Sequence, residues 1–109
     1  MNKVEALSTT ARRSIEVLGA EIQLMRRQRG WSEEELARRL GSSRKTVRAI
    51  ESALPTVAIG YVFEAAQLVG IELFGGGGAI SERLSKTRTH LELLPKHMHT
   101  RLPEIKDDF

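Results

Sequence analysis

Apolar residues recur every three or four positions through the first two thirds of the chain, which is the period of an amphipathic helix. Gly30, Gly41 and Pro55 separate four such stripes, and helices commonly end at glycine or before proline. We predict four helices: one that begins between 10 and 14 and ends at 30, then 33–40, 44–52 and 57–69. The predicted core positions are Ile15, Leu18, Ile22, Met25, Leu36, Ala37, Leu40, Val47, Ile50, Ile59, Val62, Phe63, Ala66 and Val69.

Cap residues mark the starts of three of these helices. Ser32 and Glu35 have the spacing of a capping box, in which the hydroxyl accepts from the amide of residue 35 and the carboxylate reaches back. Ser43 is suited to cap the third helix and Thr56 the fourth. Gly41 is expected to end the second helix, and it leaves a very short connection to the third.

The pattern changes after the fourth helix. Residues 71–74 alternate in part between apolar and polar, and we predict a short strand there. Four consecutive glycines follow and predict a flexible break. The chain is therefore expected to divide into a body, 1–74, and an extension, 75–109. The extension comprises a helix at about 80–94 and a tail, 95–109, that is expected to be disordered when alone.

Composition narrows the class of protein. With 109 residues, 40% of them hydrophobic, the chain can form one small core rather than a two-domain enzyme. The absence of cysteine excludes disulfides, thiol catalysis and cysteine-based metal sites. No apolar run reaches the roughly 18 residues of a membrane span, and no signal peptide is recognisable. We expect a cytoplasmic protein.

The positive charge is concentrated in one segment. The net charge of the chain is only +3, but residues 26–48 contain eight basic and three acidic residues, a net charge of +5. The residues before this segment are neutral overall, and those after it sum to −2. Such a segment is either a solvated helix face or a surface that faces phosphates, where Lys and Arg release condensed counterions.

Three residues have the spacing of a helix-turn-helix. Ala37 supplies the small residue where the second helix of the motif crosses the first, and Gly41 supplies a turn residue that tolerates a positive φ. Val47, six residues later, supplies the branched apolar residue that packs between the two helices. The motif also explains the caps at Ser32 and Ser43.

In such a motif the start of the second helix enters the major groove of DNA. The outward residues here are Arg44, Lys45 and Arg48. We predict base contacts for Arg44 and Lys45, since both can bond guanine O6 and N7. For Arg48 a base contact and a phosphate contact are equally supported. Ser43 and Thr46 are suited to phosphate oxygens.

Residues 17–74 resemble the XRE or Cro/repressor family of bacterial helix-turn-helix regulators. The resemblance is carried by 26–32 (RRQRGWS), 35–41 (ELARRLG), 43–47 (SRKTV) and Ile50–Glu51. It implies an all-α domain of four to five helices that binds double-stranded operator DNA as a homodimer, in the bacterial cytoplasm and on the nucleoid. The predicted DNA-binding residues are Ser42, Ser43, Arg44, Lys45, Thr46, Arg48 and Arg39.

Two further residues follow from this resemblance, and a third departs from it. The family pairs an arginine of its first helix with a glutamate of its third, and these match Arg26 and Glu51. Family members often have a glutamine, which donates to phosphate, directly after the cap residue. This chain has Glu33 there, and a phosphate would repel it. The glutamine contact is therefore not expected here.

The second half of the chain is similar to HipB-like antitoxins of toxin–antitoxin systems. A helix followed at once by a short strand, 63–74, and a tail that ends in an aromatic residue carry this resemblance. It implies strands that pair across the dimer, and an antitoxin that neutralises a HipA-family kinase toxin and represses the shared operon. The residues expected to contact the toxin are Leu94, Asp107, Asp108 and Phe109. A merely solubilising tail is the alternative.

No set of nucleophile, base and orienting residue is evident, and we predict no enzyme activity and no cofactor. His97 and His99 form a weak metal pattern in the tail, and a surface role is favoured over a metal site. Two functional alternatives to the antitoxin remain. One is a stand-alone XRE-family regulator without a toxin, and the other is an interaction module that has lost DNA binding.

Overall fold

The computed structural model describes residues 6–97. This part of the chain contains five α-helices and no strand, so the predicted all-α class is confirmed. The chain divides into two compact units between Leu73 and Phe74. The helices are α1 (Thr9–Gln28), α2 (Glu33–Leu40), α3 (Arg44–Glu51) and α4 (Ile59–Val69) in the first unit, and α5 (Gly77–Leu93) in the second.

The predicted caps form at α2 and α3. The Ser32 hydroxyl accepts from the Glu35 amide at 3.0 Å, and the Ser43 hydroxyl accepts from the Thr46 amide at 3.2 Å. Gly41 ends α2 with a φ of 71°, a left-handed conformation that costs a residue with a Cβ more than it costs glycine. The helix-turn-helix connection is therefore encoded locally, by one glycine and two serines.

The starts of α1 and α4 differ from the predictions. Ser8 caps α1 by accepting from the Ala11 amide, so this helix begins at Thr9, just before the predicted range. Thr56 does not cap α4. The helix begins at Ile59 after Ala58, which makes no side-chain cap. The reason is a turn that precedes the helix, in which the amide of residue 57 donates to the carbonyl of Leu54.

The core of the first unit lies where α1, α2, α3 and α4 meet. Most predicted core positions are buried or packed against the buried cluster, but Ile59 and Phe63 are 66% and 37% exposed. Their prediction as core residues is wrong, because the start of α4 projects beyond the core and the small Ala65 is buried instead. The buried apolar residues are Ile22, Leu36, Ala37, Leu40, Val47, Ile50, Ala65, Ala66 and Val69.

A buried ion pair joins α1 to the end of α3. The Arg26 guanidinium donates to both carboxylate oxygens of Glu51, at 2.6 and 3.0 Å, and to the carbonyl of Trp31 at 2.8 Å. The hydrogen bond to Glu51 raises the pKa of Arg26 although burial opposes the charge. The pairing implied by the family resemblance is therefore present, and it is structural.

The chain between α4 and α5 contradicts two predictions. The strand predicted at 71–74 does not form; Leu73–Gly75 is a 3-10 turn, and Phe74 has a left-handed φ of 56°. The left-handed Phe74 interrupts the extended backbone that a strand requires. The four glycines are also not flexible throughout, contrary to the prediction. α5 begins at Gly77, within the glycine run, and the Ile80 amide donates to the Gly76 carbonyl.

The second unit, in its described part, is built on α5. This helix ends at Leu93, one residue before the predicted end, and all of its residues are exposed. Across residues 6–97 no helix is both long enough and apolar enough to cross a membrane.

Candidate nucleic-acid interface

The α2 and α3 helices pack as a helix-turn-helix. Val47 is fully buried between them, and Ala37 is 4% exposed at the crossing. Gly19 of α1 lets the backbone of α3 approach, because a Cβ at this position would lie 2.6 Å from the Ile50 carbonyl oxygen. α3 is therefore held against both α1 and α2, and its outer face remains exposed.

Three hydroxyl side chains gather at the start of α3. The Ser42 Oγ donates to the Thr46 Oγ1 at 2.9 Å, and the Ser43 Oγ lies 3.3 Å from the same Thr46 oxygen. Ser43 also accepts from the Thr46 amide as the helix cap. The structure thus brings together three predicted site residues in a preorganised polar cluster, which can meet phosphate oxygens.

Arg44 and Lys45 extend from the first turn of α3 into solvent. Within residues 6–97 neither side chain forms an ion pair or a hydrogen bond. A cation that is not held in an ion pair can reach a ligand, and here two such cations are adjacent at the helix start, although Arg44 still attracts the Glu33 carboxylate. Their placement matches the position from which a recognition helix reaches base edges.

Arg48 is less available. Its Nε donates to Glu33 Oε1 across the turn of the motif, at 2.9 Å. This hydrogen bond lowers the pKa of Glu33. The carboxylate is therefore negatively charged on the same side of the motif as the cations of α3.

Arg39 lies apart from the α3 cluster. Its guanidinium carbon is 4.1 Å from the centroid of the half-buried Trp31 ring, and its Nε donates to Glu35 at 2.7 Å. Glu35 Oε2 also accepts from Arg38, and within residues 6–97 no hydrogen bond from the Ser32 amide to Glu35 completes the predicted capping box. Partial burial acts to raise the pKa of Glu35, but the two arginines outweigh it and leave the pKa lowered. A DNA contact by Arg39 remains a prediction.

The residues predicted for toxin binding are mostly beyond the described part of the chain. Leu94 follows α5 directly and is 58% exposed. Asp107, Asp108 and Phe109 lie outside the described residues, as does His99 of the weak metal pattern. Within 6–97 no three His, Asp or Glu side chains are grouped to hold a metal ion.

Sequence reasoning missed two further contacts besides that of Arg39 with Trp31. One is the Glu33–Arg48 pair, whose only sequence signal is opposite charge at the starts and exposed faces of adjacent short helices. The other is Arg29, which donates to the carbonyl of Val69 at 2.9 Å and so joins the ends of α1 and α4. The paired residues are 15 and 40 positions apart in the sequence, so only the folded structure shows that they are in contact.

Comparison with known families agrees with this geometry. Residues 22–74 match the HTH_3 family model, which is described as a helix-turn-helix. No curated protein and no solved structure matches the chain significantly. The matched segment contains the α2–α3 connection, the polar cluster and the exposed cations of α3. Residues 22–74 are therefore similar to helix-turn-helix domains in sequence as well as in geometry.

Proposed function

We propose that the protein is a transcriptional repressor that binds double-stranded DNA through α3. One observation supports this most directly: Arg44 and Lys45 are exposed, and form no ion pair or hydrogen bond within residues 6–97, at the start of the second helix of a helix-turn-helix. The alternative is that the basic segment is a solvated helix face. That alternative does not explain why two exposed cations lie at the position from which a helix-turn-helix contacts bases.

Each residue of the interface has a distinct role in this proposal. Arg44 and Lys45 contact base edges in the major groove. The hydroxyls of Ser42, Ser43 and Thr46 contact phosphates and set the position of α3 on the duplex. Arg48 contacts DNA once it leaves Glu33, and Arg39 contributes a phosphate contact from α2.

A binding assay in two steps tests this function. Selection from a random duplex library with the full chain identifies a preferred site, and titrations at two salt concentrations then measure its affinity. We expect affinity to fall steeply with salt, because each neutralised phosphate releases counterions. Arg44→Ala is expected to cost about 1–3 kcal/mol and to relax the preference at one base position.

Arg13→Ala is the matched control, because it removes one positive charge from the exposed Arg13–Glu16 pair on α1. It should leave the base preference unchanged. If no sequence is enriched, or if affinity is insensitive to salt, the chain does not bind DNA as proposed. It would then be an interaction module that has lost DNA binding.

We also propose that the repressor is a homodimer, because an eight-residue α3 spans only one half-site of an operator. An apolar groove lies beside the end of α3, between α1, the loop that follows α3 and the start of α4. Leu54 and Ile59 line it and are 50% and 66% exposed. A second copy in this groove would place two α3 helices on one DNA molecule.

The antitoxin role is the finer proposal for the second unit. We infer that residues 75–109 contact a HipA-family kinase toxin, supported by the division of the chain and by the exposed Leu94. Co-purification with the product of a neighbouring kinase-like gene tests it. Deletion of residues 75–109 should abolish the complex and retain DNA binding. If no such gene product binds, the chain is a stand-alone regulator.

A further inference from the structure

The α5 helix has an apolar stripe whose first half lines a groove with Phe74 and whose second half is exposed. The stripe consists of Ile80, Leu84, Thr87 and Leu91, at spacings of four, three and four residues, which place them on one face of the helix. Ile80, Leu84 and Leu91 are 39%, 46% and 62% exposed. Three partly exposed aliphatic side chains in one line on a helix are typical of a helix that docks on a partner.

The charged residues directly beside this α5 stripe are arginines. Arg83 lies on one flank, with its guanidinium carbon 5.6 Å from the centroid of the Phe74 ring, and Arg88 lies on the other. The acidic residues of the helix are further round, and Glu82 faces Lys86, with 3.4 Å between Oε2 and Nζ. A partner that covers the stripe would therefore meet basic side chains at both edges.

We propose that the α5 stripe binds an amphipathic helix of another protein, one whose apolar face is flanked by Asp or Glu. Apolar contact would cover Leu84 and Leu91, and acidic side chains would pair with Arg83 and Arg88. The stripe covers fewer than the three to four heptads typical of a self-sufficient coiled coil, so opposite charges are needed to select and hold the partner. This inference does not depend on DNA binding.

A second copy of α5 is a poor partner for the stripe. In a parallel pair the flanking residue of one helix faces the residue five positions later in the other, which would place Arg83 against Arg88. In an antiparallel pair the flanks are again basic on both sides. Like charges at these positions oppose pairing, so the complement is a different chain.

A membrane surface also fits less well. Helices that lie on anionic lipid have a broad apolar face and basic residues across the polar face. The α5 stripe is one side chain wide, includes Thr87, and is backed by Glu82 and Glu92. Acidic lipid headgroups would repel those carboxylates, whereas a single partner helix need not approach them.

Two labelled synthetic peptides test the proposal on the full chain. Both form amphipathic helices of three heptads with the same apolar stripe, and they differ only in having Glu or Lys at the flanking positions. We expect the Glu peptide to bind at least tenfold more tightly at low salt, with the advantage shrinking as salt rises. The double variant Arg83→Glu/Arg88→Glu should reverse the preference.

Leu84→Lys tests the apolar part of the surface and should weaken Glu-peptide binding at least tenfold. Thr89→Lys, on the opposite face, is the control that should leave it unchanged. Circular dichroism checks that both variants retain their helix content. Equal binding of the two peptides, or binding that survives Leu84→Lys, would overturn the proposal.

Three other results would also overturn the proposal, because each would show that a different partner binds the α5 stripe. Self-association of the full chain that Leu84→Lys abolishes would assign it to a second copy. Binding to phosphatidylserine vesicles that the same variant abolishes would assign it to a membrane. Glu-peptide binding that occurs only after deletion of residues 98–109 would assign it to the chain's own terminus.

Discussion

Three of the arginine–glutamate pairs in the described residues lie in different environments, and each environment gives the pair a different consequence. Arg26 and Glu51 are buried together and hold α1 to α3. Arg48 and Glu33 are partly exposed on the face proposed to meet DNA, where the carboxylate competes with phosphate. Arg39 divides its contacts between Glu35 and the Trp31 ring. Burial and position, rather than the residue type, decide what each contributes.

Removing the charge of Glu51 should destabilise the domain strongly. Glu51→Gln leaves the buried Arg26 guanidinium without its anion, and breaking a buried pair in this way costs about 3–5 kcal/mol. Urea unfolding followed by circular dichroism measures the change in the free energy of unfolding. The control is Glu16→Gln at the exposed pair with Arg13, for which we expect less than about 1 kcal/mol. Equal effects would mean that the buried pair is not structural.

Removing the charge of Glu33 should strengthen DNA binding. Glu33→Gln releases Arg48 and removes a carboxylate that repels phosphate, so we expect affinity to rise about five- to tenfold. The salt dependence should steepen by about one released counterion. Glu34→Gln removes the same charge from the same turn but has no bond to Arg48, and it should have a smaller effect. An unchanged or weaker affinity for Glu33→Gln would show that Arg48 does not reach DNA.

The lowered pKa values of Glu33 and Glu35 predict a loss of stability in acid. A carboxyl group whose pKa is lower in the folded chain stabilises it fully above the ordinary pKa of glutamate. This contribution is lost as the pH falls through the lowered value. The free energy of unfolding of Glu33→Gln/Glu35→Gln should therefore depend less on pH than that of the unmodified chain, between about pH 5 and pH 3. Parallel pH profiles would contradict this.

At the scale of helices, prediction succeeds where the signal is local. Ser32, Ser43 and Gly41 determine the ends of α2 and α3 through contacts within four residues, and the sequence alone identifies them. Thr56 has the same chemistry as those serines, yet a turn made by its neighbours shifts the start of α4. The strand predicted at 71–74 also fails, because Phe74 takes a left-handed φ that interrupts the extended backbone, and a partial alternation over four residues does not exclude such a turn.

The candidate site divides in the same way. The exposure of Arg44 and Lys45 follows from the period of α3, so the pattern of apolar residues predicts it. The partner of Arg48 does not follow from any period, because Glu33 approaches it only after α2 and α3 have packed. The contact of the Arg39 guanidinium with the Trp31 ring cannot be predicted from the sequence either.

Helix packing makes Gly19 and Gly60 respond oppositely to the same substitution. In Gly19→Ala the new Cβ would lie 2.6 Å from the Ile50 carbonyl oxygen, so α1 and α3 must separate, at a cost of about 1–3 kcal/mol. In Gly60→Ala nothing lies within 4 Å, and α4 should gain about 0.5–1 kcal/mol from the better helix former. Thermal unfolding of both variants measures the difference. If both substitutions raise the melting temperature, α1 and α3 can move apart at little cost.

At the scale of the whole molecule, the first unit has two surfaces to present. The exposed face of α3 carries positive charge, whereas the groove between α1 and α4 is apolar and lined by Leu18, Val62 and Phe63, among others. An apolar groove and a charged face suit different partners, a protein and a polyanion. A dimer formed through the groove would therefore leave both α3 helices free for DNA.

A single charge in the groove should separate the proposed dimer. Ile59 is 66% exposed, so Ile59→Glu should not disturb the core, but it would bury a carboxylate in an apolar interface. We expect sedimentation to show a monomer, and DNA binding to become weaker and non-cooperative because each copy then holds one half-site. Leu24→Glu is the matched control, since Leu24 is 54% exposed on α1 but does not line the groove. If Ile59→Glu remains dimeric while Leu24→Glu does not, the dimer forms through the outer face of α1 instead.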